Sequence, residues 1–206
     1  MTHAAVVVQR PAGPPQQLFL LFHDEGGAPG DLAAMGRVFA GAFPQALVAS
    51  LPLPPDAGEL LEAVARWQGE CGLDAQATAL VGYGGGATRV LESTQQAPAR
   101  AGRVIALAGT FGKLPDQAAT GVTIHLFHGK EDPVTPYGRV VAAAERLIAL
   151  GADITADILP FVGREVTAEM GDLVLERLRG YIPRRRWQEA LAADPGDPQR
   201  SETRLH

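Results

Sequence analysis

Thr78-Ala79-Leu80-Val81-Gly82-Tyr83-Gly84-Gly85-Gly86-Ala87-Thr88-Arg89-Val90-Leu91-Glu92 changes its apolar periodicity at three consecutive glycines. Its first six residues form a short run in which apolar side chains fall on both faces, the pattern of a strand buried on its two sides. After three glycines, Ala87, Val90 and Leu91 recur at three- and four-residue spacing, which is helical. A buried strand, a glycine-rich turn and a helix make the repeating unit of a parallel sheet flanked by helices.

The same alternation extends outward in both directions. Strand-like runs stand at residues 5–9, 17–23, 46–51, 78–83, 103–108, 122–128 and 154–159. Helical spacing fills residues 32–43, 59–72, 86–96, 138–150, 166–181 and 183–193, and a polar tail expected to be disordered runs from 194 to 206. This order predicts one α/β domain over residues 1–193, with a mostly parallel sheet of about seven strands and helices on both faces. The first two strands are expected to pair as an antiparallel edge hairpin, with the proline-rich segment 11–15 as their turn.

Composition narrows the function classes. A chain of 206 residues with 46% hydrophobic and 20% charged residues is long enough to bury a core without disulfides or metals. The net charge of −5 and the pI near 5.5 lack the electrostatic footprint of a nucleic-acid binder. Arg184, Arg185 and Arg186 form the one basic run and read as a solvated helix start. Cys71 is the single cysteine, so no internal disulfide is expected and a reducing, cytoplasmic setting follows. No apolar run reaches the length of a membrane span, and no cofactor is called for.

In a sheet of this type the reacting groups sit in loops beyond the carboxyl ends of the strands. Gly82-Tyr83-Gly84-Gly85-Gly86 occupies the place where G-x-S-x-G forms a nucleophile elbow in α/β hydrolases, but the middle residue is Gly84. Read as G-x-G-x-x-A, the loop imitates a dinucleotide fingerprint; that motif needs an acid ending the next strand, and the next strand ends in Ala106-Leu107-Ala108-Gly109. A glycine-rich helix start can also hold another anion on its free N–H groups. Asp132, after the sixth strand, lies where the orienting acid of a triad belongs in chain order, and Arg164, after the seventh, lies where histidine belongs.

The chain resembles the carboxylesterase/phospholipase family of small cytosolic α/β-hydrolase esterases, most closely its bacterial branch. The resemblance spans most of the chain. It rests on Leu20-Leu21-Phe22-His23, Phe43-Pro44-x-Ala46-Leu47-Val48, Ala79-Leu80-Val81-Gly82, Arg103-Val104-Ile105-Ala106 and, most specifically, Ile124-His125-Leu126-x-His128-Gly129-x-Glu131-Asp132-Pro133-Val134. The family implies ester hydrolysis by a serine nucleophile, a histidine base, an aspartate and two oxyanion-hole amides. By position these roles fall on Gly84, Arg164, Asp132 and the N–H groups of Glu25 and Gly85.

Four departures follow. Gly84 has no nucleophile, and Arg164 stays protonated at any working pH and cannot act as a base. Asp24 and Glu25 follow His23, where the family has glycine and a small or apolar residue. A carboxylate about 5 Å from a developing oxyanion would oppose it by about 3 kcal/mol. The segment Pro52-Leu53-Pro54-Pro55-Asp56 is shorter than in relatives and lacks their Trp-Phe pocket wall.

No substitute nucleophile or metal site stands out: Ser50, Ser93 and Ser201 lie at a strand end, within a helix and in the tail, and His23 has no second ligand at metal spacing. His23, His125 and His128 read as structural, and Tyr83 as a cleft-side packing residue. The expectation is a catalytically inactive member retained for a small-molecule or anionic ligand, or for a protein partner, with Arg164 paired to Asp132 or to Asp24 and Glu25. The alternatives are a weak ester hydrolase in which Asp132 or the Asp24/Glu25 pair activates water, and an anion-binding module.

Overall fold

The computed structural model describes residues 4–181. The helical pattern at 183–193, the run Arg184 to Arg186, Trp187, Ser201 and the tail 194–206 lie outside the described residues. The strands are β1 (Val6–Gln9), β2 (Gln17–Phe22), β3 (Ala46–Leu51), β4 (Thr78–Tyr83), β5 (Arg103–Leu107), β6 (Thr123–Gly129) and β7 (Asp153–Leu159). The helices are α1 (Ala33–Ala42), α2 (Ala57–Cys71), α3 (Gly85–Ser93), α4 (Tyr137–Ala149) and α5 (Ala168–Gly180). They build a seven-stranded sheet in the order β1-β3-β2-β4-β5-β6-β7, parallel except for β1.

Period-two alternation divides the core between the two faces of the sheet. Leu18, Leu20 and Phe22 of β2 join one cluster with Leu60, Val64, Val90 and Leu147, which places α2, α3 and α4 on that face. Phe19 and Leu21 join the other with Met35, Phe39, Met170 and Val174, under α1 and α5. Asp56 caps α2 by accepting from Glu59 N–H, and Gly72 ends that helix at a φ of 65°.

The expected β1–β2 hairpin does not form. β1 runs antiparallel to β3, and β3 separates it from β2. Every residue of β3 is buried, so both of its edges need strand partners, whereas β1 is exposed and suits the rim. The proline-rich segment therefore reverses the chain across the end of β3 without making β1 and β2 neighbours.

Candidate functional site

The glycine-rich loop forms a sharp strand-to-helix turn at the carboxyl end of the sheet. β4 ends at Tyr83, α3 begins at Gly85, and Gly84 between them adopts φ 57° and ψ −117°. Its N–H donates to Leu107 O at 2.9 Å, which ties the turn to β5. A residue with a side chain is strained at this φ, and space is lacking as well. A Cβ built on Gly84 would meet the Asp24 carboxyl group and, at 2.5 Å, Nη2 of Arg164.

Asp24 fills the space beside this turn. Its Oδ1 accepts from Gly85 N–H at 2.6 Å and from Glu25 N–H at 2.9 Å. Two backbone donors thus converge on one carboxylate oxygen, the geometry that stabilises an oxyanion. Its Oδ2 accepts from Arg164 Nη2 at 2.6 Å, a charge-assisted bond between side chains 22% and 31% exposed. Burial pushes the Asp24 carboxyl up, but Arg164 and the two amides outweigh it and hold the group below the usual carboxylate value.

Arg164 also reaches two further groups. Nη1 donates to Ala108 O at 3.3 Å and lies 3.5 Å from Asp132 Oδ2. Its guanidinium carbon stands 5.6 Å from the Tyr83 ring centroid, and the Tyr83 hydroxyl donates to Arg164 O. Burial lowers the guanidinium pKa, yet Asp24 and Asp132 raise it further, so the side chain remains a cation. Asp132 is buried, and its Oδ1 accepts from the N–H groups of Val134 and Thr135 at 2.8 and 3.1 Å. Among the described residues Oδ2 makes no hydrogen bond; it faces the arginine, with His128 Nε2 3.7 Å away donating instead to Thr135 O. Tyr83 is shifted upward, chiefly by burial.

The structure therefore brings Gly84, Gly85, Asp24, Tyr83, Asp132 and Arg164 together. Glu25 contributes its N–H, but the expected Glu25–Arg164 pairing is not formed among the described residues. The Glu25 side chain lies over Gly85, where a Cβ would meet its Cγ at 2.6 Å, because the turn aims consecutive side chains apart. His23 stands just behind: Leu53 N–H donates to its Nε2 at 3.1 Å, which fixes the Nδ1–H tautomer that donates to Asp24 O at 2.7 Å. This ring locks the Asp24 backbone to the segment that replaces the longer loop. His125 is remote from the cluster, bonded to Thr155 Oγ1 and edge-on to Tyr181. Ser50 is buried in β3, and Ser93 donates to Val90 O within α3.

Sequence reasoning missed the Ala108 carbonyl. Its residue sits at φ 50°, and a carbonyl acceptor leaves no trace in residue type. Among the described residues no three His, Cys, Asp or Glu side chains could hold a metal ion, and no helix is long and apolar enough to cross a membrane.

Comparison with known proteins bears on this geometry. Residues 55–177 match the phospholipase/carboxylesterase family. The chain is 40% identical over 225 residues to the esterase YpfH of Escherichia coli K12, covering 96% of this chain and 97% of that protein. It is 34% identical over 79 residues to acyl-protein thioesterase 1 of Gibberella zeae, covering 37% of this chain and 34% of that protein. Among solved structures, esterase PE8 superposes with a TM-score of 0.76 at 20% identity, over 88% of this chain and all of that one. The Bacillus cereus carboxylesterase superposes with 0.69 at 16%, over 84% and 91%. These structural likenesses are to the α/β-hydrolase fold.

Proposed function

Because this chain belongs to the phospholipase/carboxylesterase family of α/β hydrolases, we propose that it is a non-hydrolysing member whose former catalytic centre is an internal salt-bridged clamp, retained for binding a ligand or a partner. In this reading Gly84 stands at the nucleophile position, Arg164 at the base position, Asp132 at the acid position, and the Glu25 and Gly85 amides at the oxyanion hole. Loss of the triad's joint action lowers turnover by about 10⁶.

One observation carries the proposal: Asp24 Oδ1 already accepts both amides that an oxyanion would need. Losing a single such donor lowers turnover by about a hundred- to a thousand-fold; here both are engaged by a side chain of the same protein. The occupied amides also weigh against the anion-binding alternative. Water activation by a carboxylate is disfavoured on similar grounds. Asp24 is held below its usual pKa and makes a weak base, while Asp132 accepts two amides on one oxygen and faces a guanidinium with the other. A cytoplasmic setting belongs to the same reading, in keeping with Cys71 as the single cysteine.

The test is hydrolysis of p-nitrophenyl acetate by the native protein and by its Asp24→Asn and Asp132→Asn variants. All three are expected to match the buffer blank. Native turnover abolished by either substitution would overturn the proposal in favour of carboxylate-activated water.

A further inference from the structure

A second concavity lies on the α1–α5 side of Tyr83, a residue it shares with the clamp. It is a cavity of about 480 Å³, within the size range of small-molecule sites. Its floor is formed by Leu32, Met35, Val38 and Val166, with the Tyr83 ring as the wall towards Arg164. The space exists because small residues face it from two helices: Ala34 on α1, and Ala168 and Gly171 on α5. Gly171 is buried, yet a Cβ placed on it would meet no atom within 4 Å. A helix interior gains stability from alanine over glycine, so the vacancy is not one that local helix preference explains.

Among the described residues, the charges at this cavity are of one sign. Asp31 and Asp172 are the charged residues lining it, both exposed at its margin, with no lysine, arginine or histidine among the lining residues. Among the described residues, Asp31 Oδ2 accepts only Ala28 N–H and Asp172 forms no ion pair. The amino end of α5 also opens here and by itself would favour an anion. Thr167 Oγ1 already accepts Met170 N–H there, and Glu169 adds a third carboxylate in the first turn. An apolar floor under an acidic margin complements an aliphatic chain that ends in a cation.

We propose that this cavity binds aliphatic ammonium amphiphiles, with the chain on Leu32, Met35, Val38 and Val166 and the ammonium against Asp31 and Asp172. The site stands whether or not the chain hydrolyses esters, because none of these residues belongs to the clamp.

Calorimetric titration of the native protein with n-hexylammonium, n-octylammonium, n-octanol and n-octanoate, below their micelle-forming concentrations, tests it. Octylammonium should bind most tightly and octanoate most weakly, and each methylene added between hexyl- and octylammonium should tighten binding about fourfold, from ~0.8 kcal/mol per buried CH₂. Asp31→Asn with Asp172→Asn should weaken octylammonium about two- to fivefold per charge and leave octanol unchanged. Gly171→Leu, or Ala168→Leu if that variant does not fold, should remove binding of every ligand while the far-ultraviolet dichroism stays native. Octanoate binding as tightly as octylammonium, no saturable binding of the ammonium, or undiminished binding to a folded cavity-filling variant would each overturn the proposal.

Discussion

Gly84→Ala is the most informative single perturbation of the clamp. The added methyl group would fall against the Asp24 carboxyl and 2.5 Å from Arg164 Nη2, so the 2.6 Å Asp24–Arg164 bond must lengthen or break. A hydrogen bond to a charged group contributes about 1.5–3 kcal/mol, toward the lower end here because both side chains are partly exposed. The left-handed φ of 57° adds about 1 kcal/mol or more of strain for any residue with a Cβ. The expected loss is therefore about 3 kcal/mol, or about 6–12 °C in melting temperature for a chain of this size. In an Asp24→Gly background the carboxyl is gone and Arg164, released from its partner, can move away from the methyl, so Gly84→Ala should then lose only about 1 kcal/mol. The resulting coupling of about 2 kcal/mol can be read from denaturant midpoints in a double-mutant cycle. Equal losses in both backgrounds, or a loss under about 0.5 kcal/mol in the native one, would refute the packing argument.

Three further outcomes follow from the same contacts. Asp24→Asn should destabilise the protein by about 1–2 kcal/mol at pH 7; because the native pKa is lowered, that difference is present above the ordinary value of 3.8 and disappears as the pH falls through the native one, as urea melts across pH 2–7 would show. His125 is pushed down to about 3, first by burial and then by Arg103. The unfolded chain therefore binds the extra proton from about pH 6.5 downward, and stability should fall by roughly 4 kcal/mol by about pH 3, a slope that His125→Gln removes. Gly84→Ser with Arg164→His should remain unlabelled by a fluorophosphonate, because the Asp24 carboxyl crowds the added side chain and occupies the space beside the two amides, whereas adding Asp24→Gly clears that space and should permit labelling detectable by intact mass.

The strands and helices were legible wherever apolar spacing was regular, and β3 and β4 fall at the predicted residues because burial on both faces leaves a continuous run that stops at Pro52 and at Gly84. The β1 pairing was not legible. Sequence proximity favours a hairpin, but the partner is chosen by which strand has an open edge, and that depends on the whole sheet. The elbow and the Arg164 pairing could be read from position and charge, since a cation beside two acids must find one of them. The seat of Asp24 in the amides could not, because it depends on the dihedrals of a turn that sends Asp24 inward and Glu25 across Gly85. The α1–α5 cavity was invisible for another reason: it is made by side chains that are small or absent at positions far apart in the chain.

On the reading proposed above this scaffold forms no acyl intermediate, and incubation of the native protein with a fluorophosphonate, read by intact mass alongside ester turnover, decides the matter. An unmodified mass with hydrolysis equal to buffer is the predicted result. A single stoichiometric adduct on any residue, with turnover lost in proportion to labelling, would contradict it.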